Sequence, residues 1–115
     1  MSASPIDMPT FEELRATTGA EFASELVGTF LEEAPLMLNE LRTALGANDA
    51  DTFRRAAHSL KSNCNTFGAL ALGAQARALE LGGLSSVQAQ GTGALDALDA
   101  EYARVAAALS ALRHA

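Results

Sequence analysis

The chain has 115 residues, the usual length of one domain, and carries 14 acidic against 8 basic residues for a net charge of −6. Alanine and leucine are abundant while residues that favour strands are few, so the composition predicts an all-α protein and excludes a sheet-based fold. The negative charge repels phosphate backbones and anionic lipids, and no apolar run is long enough to span a bilayer, so we expect a cytoplasmic protein without nucleic-acid or membrane partners.

The N-terminal residues 1–9 contain two prolines and small polar residues, a composition typical of irregular structure. We therefore divide the chain into an irregular arm, 1–9, and a helical domain, 10–115. Thr10 and Glu13 have the spacing of a capping box, which predicts that Thr10 caps a short first helix. That helix would end before Gly19.

Apolar residues recur at intervals of three and four from Ala20 to Leu45, which predicts one long amphipathic helix. Pro35 lies within it and provides no N–H for the carbonyl of Leu31, so we expect either a kink or a brief break. The apolar stripe keeps its phase across Pro35, which favours the kink.

Asp51 is the predicted N-cap of the third helix, which would end at Gly68. The spacing assigns this helix a core face of six apolar residues: Phe53, Ala56, Ala57, Leu60, Cys64 and Phe67.

A fourth helix is predicted over about Ala69 to Leu81, followed by a loop from Gly82 to about Thr92. The last helix has a narrow apolar seam at Leu95, Leu98, Tyr102, Val105, Leu109 and Leu112. Four substantial helices with short connections predict an antiparallel four-helix up-down bundle, with the first helix as a short accessory.

His58 lies on the third helix and points about 140° away from the centre of its core face, so we expect it in solvent. Lys61, Ser62, Asn65 and Ala69 follow on the same side of the helix. A neutral imidazole has a free lone pair that can attack phosphorus. Lys61 could balance the charge of a phosphoryl group, and a small side chain at Ser62 would leave room for a partner.

Other chemistry finds little support in the sequence. Cys64 falls on the core face, so it forms no nucleophilic pair with His58, and a single cysteine forms no intramolecular disulfide. Neither His58 nor His114 has a glutamate three residues before it, as a di-iron bundle site requires, so we predict no metal. His114, next to the chain end, is assigned no role. There is no glycine-rich phosphate loop for ATP.

The run AAHSLKSNCNTFGA resembles the signature of histidine-containing phosphotransfer (HPt) domains, in which His-x-Leu-Lys-Gly is followed after five residues by Gly. His58, Leu60, Lys61 and Gly68 match this signature. Ser62 stands where the family usually has glycine, and it is also small.

The resemblance covers roughly Phe22 to Leu84. It includes the FLEEAP segment that ends at Pro35, the acidic turn before the third helix, and the pair Leu79 and Glu80 in the fourth.

The resemblance implies a phosphorelay carrier of two-component signalling and not an enzyme. His58 would accept a phosphoryl group on Nε2 from an aspartyl phosphate of one receiver domain and pass it to another. The chain would need no cofactor, since Mg²⁺ and the catalytic groups belong to the receiver. The predicted partner-docking face comprises Ser62, Asn65, Gly68 and Ala69.

The expected partners are response-regulator receiver domains and a hybrid histidine kinase, and we expect the chain to be a monomer. Two alternatives stay open. The chain could be a binding module that sequesters a response regulator without carrying phosphate, or a piece of a larger hybrid kinase.

Overall fold

The structure is a computed structural model that describes residues 4–113. In that range it has five helices and no strand, which confirms the all-α prediction. The helices are α1 (Met8–Thr18), α2 (Ala20–Gly46), α3 (Ala50–Phe67), α4 (Leu70–Gln90) and α5 (Gly93–Arg113). Over residues 4–113, no helix combines the length and the apolar character needed to cross a membrane.

Helices α2 to α5 form a four-helix bundle in which each helix packs against the next and α5 packs against α2, while α1 contacts α2 and α3. The polar contacts between α2 and α5 show that these helices run antiparallel. Arg42, near the end of α2, pairs with Asp96 and Asp99 at the start of α5. Arg113, at the end of α5, donates to Ser24 near the start of α2.

The core face of α3 is the one that the apolar spacing predicts. All six predicted residues are buried, and they are the six buried residues of this helix: Phe53, Ala56, Ala57, Leu60, Cys64 and Phe67. The ring of Phe67 packs in a tilted arrangement against Phe30 of α2, with 5.2 Å between ring centroids, and Phe30 packs in the same way against the ring of Tyr102 in α5. These aromatic contacts join α3 to α2, and α2 to α5.

Helix α2 is continuous through Pro35 and is not broken there. Proline leaves the carbonyl of Leu31 without its usual N–H donor within the helix. The hydroxyl of Tyr102 lies 3.5 Å from this oxygen and donates to it. A donor from α5 therefore takes the place of the missing N–H of Pro35.

Two helix starts differ from the prediction. The cap of α1 is Asp7 rather than Thr10, because the Asp7 carboxylate accepts the N–H of Thr10. The cap of α3 is Asp49 rather than Asp51, since the Asp49 carboxylate accepts the N–H of Thr52. In both cases an aspartate that precedes the predicted cap accepts a hydrogen bond from a free N–H group of the first helical turn.

The predicted loop from Gly82 to Thr92 is wrong, because α4 continues to Gln90. Gly83 interrupts the helix with φ 73° and ψ −178°, a conformation that is accessible to glycine. Leu84 and Val87 follow it three residues apart and are both buried, which holds this second part of α4 on the bundle. Gly83 therefore marks a kink and not a loop.

The N-terminal segment crosses the end of α3. Ile6 is only 2% exposed, and the N–H of Asp7 donates to the carbonyl of Gly68 at 2.7 Å. Met8 and Pro9, predicted as part of the arm, belong to α1. Gly68 has φ 81° and ends α3 in the left-handed conformation.

Candidate functional site

His58 stands on the outward face of α3, opposite the buried residues, as the helical spacing predicts. Its side chain is 56% exposed. Because the six core residues fix the rotation of α3, His58 is presented to solvent by the packing of the opposite face. A partner can therefore reach the imidazole ring without any rearrangement of the bundle.

The carboxylate of Glu80, on α4, bridges His58 and Lys61. Its Oε2 lies 2.7 Å from Nδ1 of His58, and its Oε1 lies 2.8 Å from Nζ of Lys61. The Glu80 side chain is 16% exposed and that of Lys61 is 23% exposed. The three side chains thus form one chain of charge-assisted contacts across α3 and α4, with only the imidazole reaching well into solvent.

The charge of Glu80 determines which nitrogen of His58 is free. Lys61, and after it His58, hold the pKa of the Glu80 carboxyl below its ordinary value, so the carboxylate is ionised at neutral pH. An ionised carboxylate only accepts hydrogen bonds, so Nδ1 must carry the proton in this contact. In the neutral ring the lone pair then lies on Nε2.

Sequence reasoning did not assign Glu80 to the site, although the resemblance extended to it. The signal in the sequence that points to Glu80 is its position in the helical hairpin of α3 and α4. His58 and Glu80 each lie eleven residues from Ala69, at the turn between α3 and α4. In an antiparallel hairpin such residues come opposite one another, so the register of α3 and α4 identifies the partner that periodicity within α3 misses.

The residues predicted to form the docking face separate into two groups. Ser62 and Asn65 are exposed on the side of α3 that bears His58. Gly68 and Ala69 are buried, Ala69 being 0% exposed, so their placement on an exposed face is corrected. The helical periodicity does not extend to them because α3 ends at Phe67 and the chain turns into α4.

A group of charged residues that the sequence analysis did not single out lies one turn before His58. Arg54 and Arg55 both pair with Asp51, at 2.9 and 3.2 Å. The two arginines line a surface depression together with His58, Ser59 and Glu80. The ring of His58 therefore has a basic pair on one side along the helix and the Glu80–Lys61 ion pair on the other.

Cys64 takes no part in this site. It is 0% exposed, and burial raises the pKa of its thiol to about 12, so it stays a neutral core residue. Within residues 4–113, no group of three or more His, Cys, Asp or Glu side chains is arranged to hold a metal ion. His114 lies outside the described residues.

Comparison with known proteins agrees with the fold. The model of the Hpt domain family matches residues 25–115, and the chain belongs to this family of histidine phosphotransfer modules, which act in phosphorelays. The structure is similar to the crystal structure of histidine-containing phosphotransfer protein B (HptB) from Pseudomonas aeruginosa PAO1. The two share 25% sequence identity with a TM-score of 0.89, over 98% of this chain and 97% of that one. No significant match was found among curated protein sequences.

Proposed function

We propose that His58 is the phosphoryl-accepting residue of a receiver-to-receiver phosphorelay. The observation that carries the proposal is the contact between Nδ1 of His58 and Oε2 of Glu80, at 2.7 Å on an exposed ring. This contact holds the proton on Nδ1 and leaves the lone pair on Nε2. The outer nitrogen is then the nucleophile, and it needs no base to activate it.

In the forward step, the lone pair of Nε2 attacks the phosphorus of an aspartyl phosphate on a receiver domain. A P–N bond forms, the P–O bond to the aspartate breaks, and the electron pair of that bond returns to the carboxylate. The proton on Nδ1 stays in its hydrogen bond, and the ring gains positive charge as the phosphoryl group arrives. Ionised Glu80 lies against that ring and stabilises the charge. Transfer to a second receiver reverses these bond changes.

Lys61 reaches the histidine through Glu80. Its Nζ contacts Oε1 at 2.8 Å, so it keeps the carboxylate ionised and directed at the ring. We therefore assign Lys61 a positioning role through Glu80, and its predicted role in balancing charge is secondary to this. Ser62 and Asn65 remain the predicted contacts for the receiver, since both are exposed next to His58.

The test is to mix the purified chain with receiver domains phosphorylated on aspartate with ³²P, in buffer containing Mg²⁺. We expect label to appear on the chain as an acid-labile, alkali-stable adduct, and to be discharged by a second receiver. His58→Ala must abolish the adduct. Lack of an adduct in the unsubstituted chain, with a panel of receivers, would contradict the proposal.

The same variant distinguishes a carrier from a module that only sequesters a response regulator. A sequestering module would bind the receiver and inhibit its output equally well with His58→Ala. A carrier variant would retain binding but lose the transfer of label to the second receiver. Measuring the affinity for the unphosphorylated receiver alongside the label separates these two outcomes.

A further inference from the structure

The cationic groups near His58 differ in how far their charge is already neutralised. Lys61 pairs with Glu80 at 2.8 Å, and one ammonium against one carboxylate leaves no net charge. A phosphoryl group on Nε2 would bring about −1.5 to −2 of negative charge to an exposed ring, and the positive charge that the ring gains offsets only about one unit, so negative charge remains. Lys61 and Glu80 together therefore provide no excess positive charge to balance it.

Arg54 and Arg55 provide that excess. Both guanidinium groups pair with the same carboxylate, that of Asp51, at 2.9 and 3.2 Å. Within this ion-paired group, two positive charges against the one carboxylate that both arginines contact leave one positive charge over, and Asp49 acts on Arg55 through its charge. The two side chains are 56% and 67% exposed, so each retains N–H groups that an incoming anion can reach.

The geometry of an α-helix places Arg54 and Arg55 on the turn that the His58 side chain covers. Side chains lean toward the helix N-terminus, so a residue covers the surface of the turn before its own Cα. For His58 that turn carries Arg54 and Arg55, four and three residues earlier. The shared depression lined by the ring and by both arginines agrees with this arrangement.

We propose that Arg54 and Arg55 bind the phosphoryl oxygens of phosphorylated His58 and are its main source of compensating charge. The inference rests on the proposed function of His58, because it concerns the phosphorylated state. A guanidinium is planar, stays charged, and offers paired N–H donors that match two phosphoryl oxygens, whereas the ammonium of Lys61 is occupied by Glu80. Arg54 and Arg55 thereby favour the phosphorylated histidine over the free ring.

The test measures the equilibrium constant for transfer between one phosphorylated receiver and the chain. This constant depends only on the free energy of phosphorylation of the receiver and of the chain. A change in how the two proteins dock alters the rate of transfer and leaves the constant unchanged. The variants are Arg54→Gln/Arg55→Gln, Lys61→Gln and the control Arg15→Gln. Arg15 lies on α1 and pairs with Glu12 at i,i+3, just as Arg54 pairs with Asp51.

We expect the double arginine variant to shift the equilibrium toward the phosphorylated receiver by about tenfold, since two charge-assisted contacts at an exposed site are lost. Arg15→Gln should leave the constant unchanged, and Lys61→Gln should shift it less than the double variant. The shift should shrink as salt is added, because exposed charges are screened.

An unchanged equilibrium constant in the double variant would overturn the inference, as would a larger shift in Lys61→Gln. Both results presuppose that the unsubstituted chain becomes labelled. If the unsubstituted chain takes no label, the proposed function itself fails, and this result is distinct from labelling with an unchanged constant. Circular dichroism and a thermal melt of each variant show that the helical fold is kept.

Discussion

The two faces of α3 obey different constraints although they share one helix. The inward face is a set of six apolar residues that pack against three other helices. The outward face is made of polar residues that form ion pairs and hydrogen bonds, above all His58 with Glu80 of α4. The inward face therefore sets the stability of the bundle, while the outward face sets its chemistry.

This difference explains how the bundle can carry an exposed nucleophile. The contacts that hold α3 lie on the other side of the helix, so little folding free energy depends on His58. Exchange of residues on the outward face can change the reaction without loss of the fold. Exchange of residues on the inward face destabilises the fold without altering the reactive groups. Each prediction below tests this separation.

The largest contrast is expected between Leu60→Ala and His58→Ala. Leu60 is 0% exposed, and its truncation should lower the free energy of unfolding by about 2–5 kcal/mol. His58→Ala should change it by no more than about 0.5 kcal/mol while abolishing phosphoryl acceptance. Urea unfolding followed by circular dichroism and the labelling assay measure the two effects. Equal destabilisation by both substitutions would disprove the separation of the faces.

A thiol can be used to compare the faces directly. Cys64 is buried with a thiol pKa of about 12, so at about pH 8 iodoacetamide should label the folded chain at least about a thousandfold more slowly than a free peptide thiol. In the double variant Cys64→Ala/Ser62→Cys, the thiol moves to the outward face. It should then react at the rate of a free thiol. Mass spectrometry over time gives both rates, and rapid labelling of Cys64 would refute its burial.

Glu80→Gln tests the connection between the outward face and α4. The amide can no longer act as an anionic acceptor for Nδ1, so both ring tautomers become populated. We expect the rate of phosphoryl transfer to fall on the order of tenfold, the effect typical of losing a residue that orients a reactive imidazole. Rapid-quench measurement of transfer from a phosphorylated receiver checks the rate. Arg77→Gln, at an exposed position of the same helix, is a control for a change of one unit of charge on α4.

The same substitution should alter the dependence of stability on pH. Lys61 and then His58 lower the pKa of Glu80 in the folded chain, so the unfolded chain binds its proton more readily. Glu80 therefore stabilises the fold fully above its unfolded-state pKa of about 4.3, and this stabilisation is lost as the pH falls through the lower folded-state pKa. The difference in unfolding free energy between the original chain and Glu80→Gln should narrow from about pH 7 to pH 3. A difference that widens in acid would contradict the contact.

The smallest effect is expected for Ser62→Leu. The added bulk on the outward face should weaken binding of a receiver several-fold, since it obstructs approach to His58 one turn away. The free energy of unfolding should change by no more than about 0.5 kcal/mol because the position is exposed. Ala103→Leu, at an exposed position of α5, is the matched control. Isothermal titration with the unphosphorylated receiver measures both, and equal affinities would remove Ser62 from the docking surface.

The sequence was sufficient for features that depend on periodicity within one helix. The core face of α3 and the exposure of His58 follow from spacings of three and four, which need no knowledge of the other helices. Glu80 was not assigned because its role depends on the register of α3 against α4. The arginine pair, Arg54 and Arg55, was not singled out because charges on an exposed helix turn are common and gain meaning only next to the ring.

Errors arose where local signals have two interpretations. Gly82 and Gly83 are typical of a loop, yet the apolar pair Leu84 and Val87 holds the following residues in a helix. Asp49 and Asp51 are both good caps, and the geometry of the turn selects Asp49. Ala69 was placed on the exposed face by extending the helical spacing past a C-cap, where that spacing no longer applies.

The last glycine of the signature has a consequence for protein design. A side chain at Gly68 would place its Cβ 2.7 Å from the carbonyl oxygen of Asp7, in addition to the strain of a positive φ. Gly68 is therefore required by the crossing of the N-terminal segment over α3, whereas His58 is required by the chemistry. A designer could exchange Gly68 only by rerouting the first residues of the chain and by changing the left-handed end of α3, and could then keep His58 and its neighbours on α3 as they are.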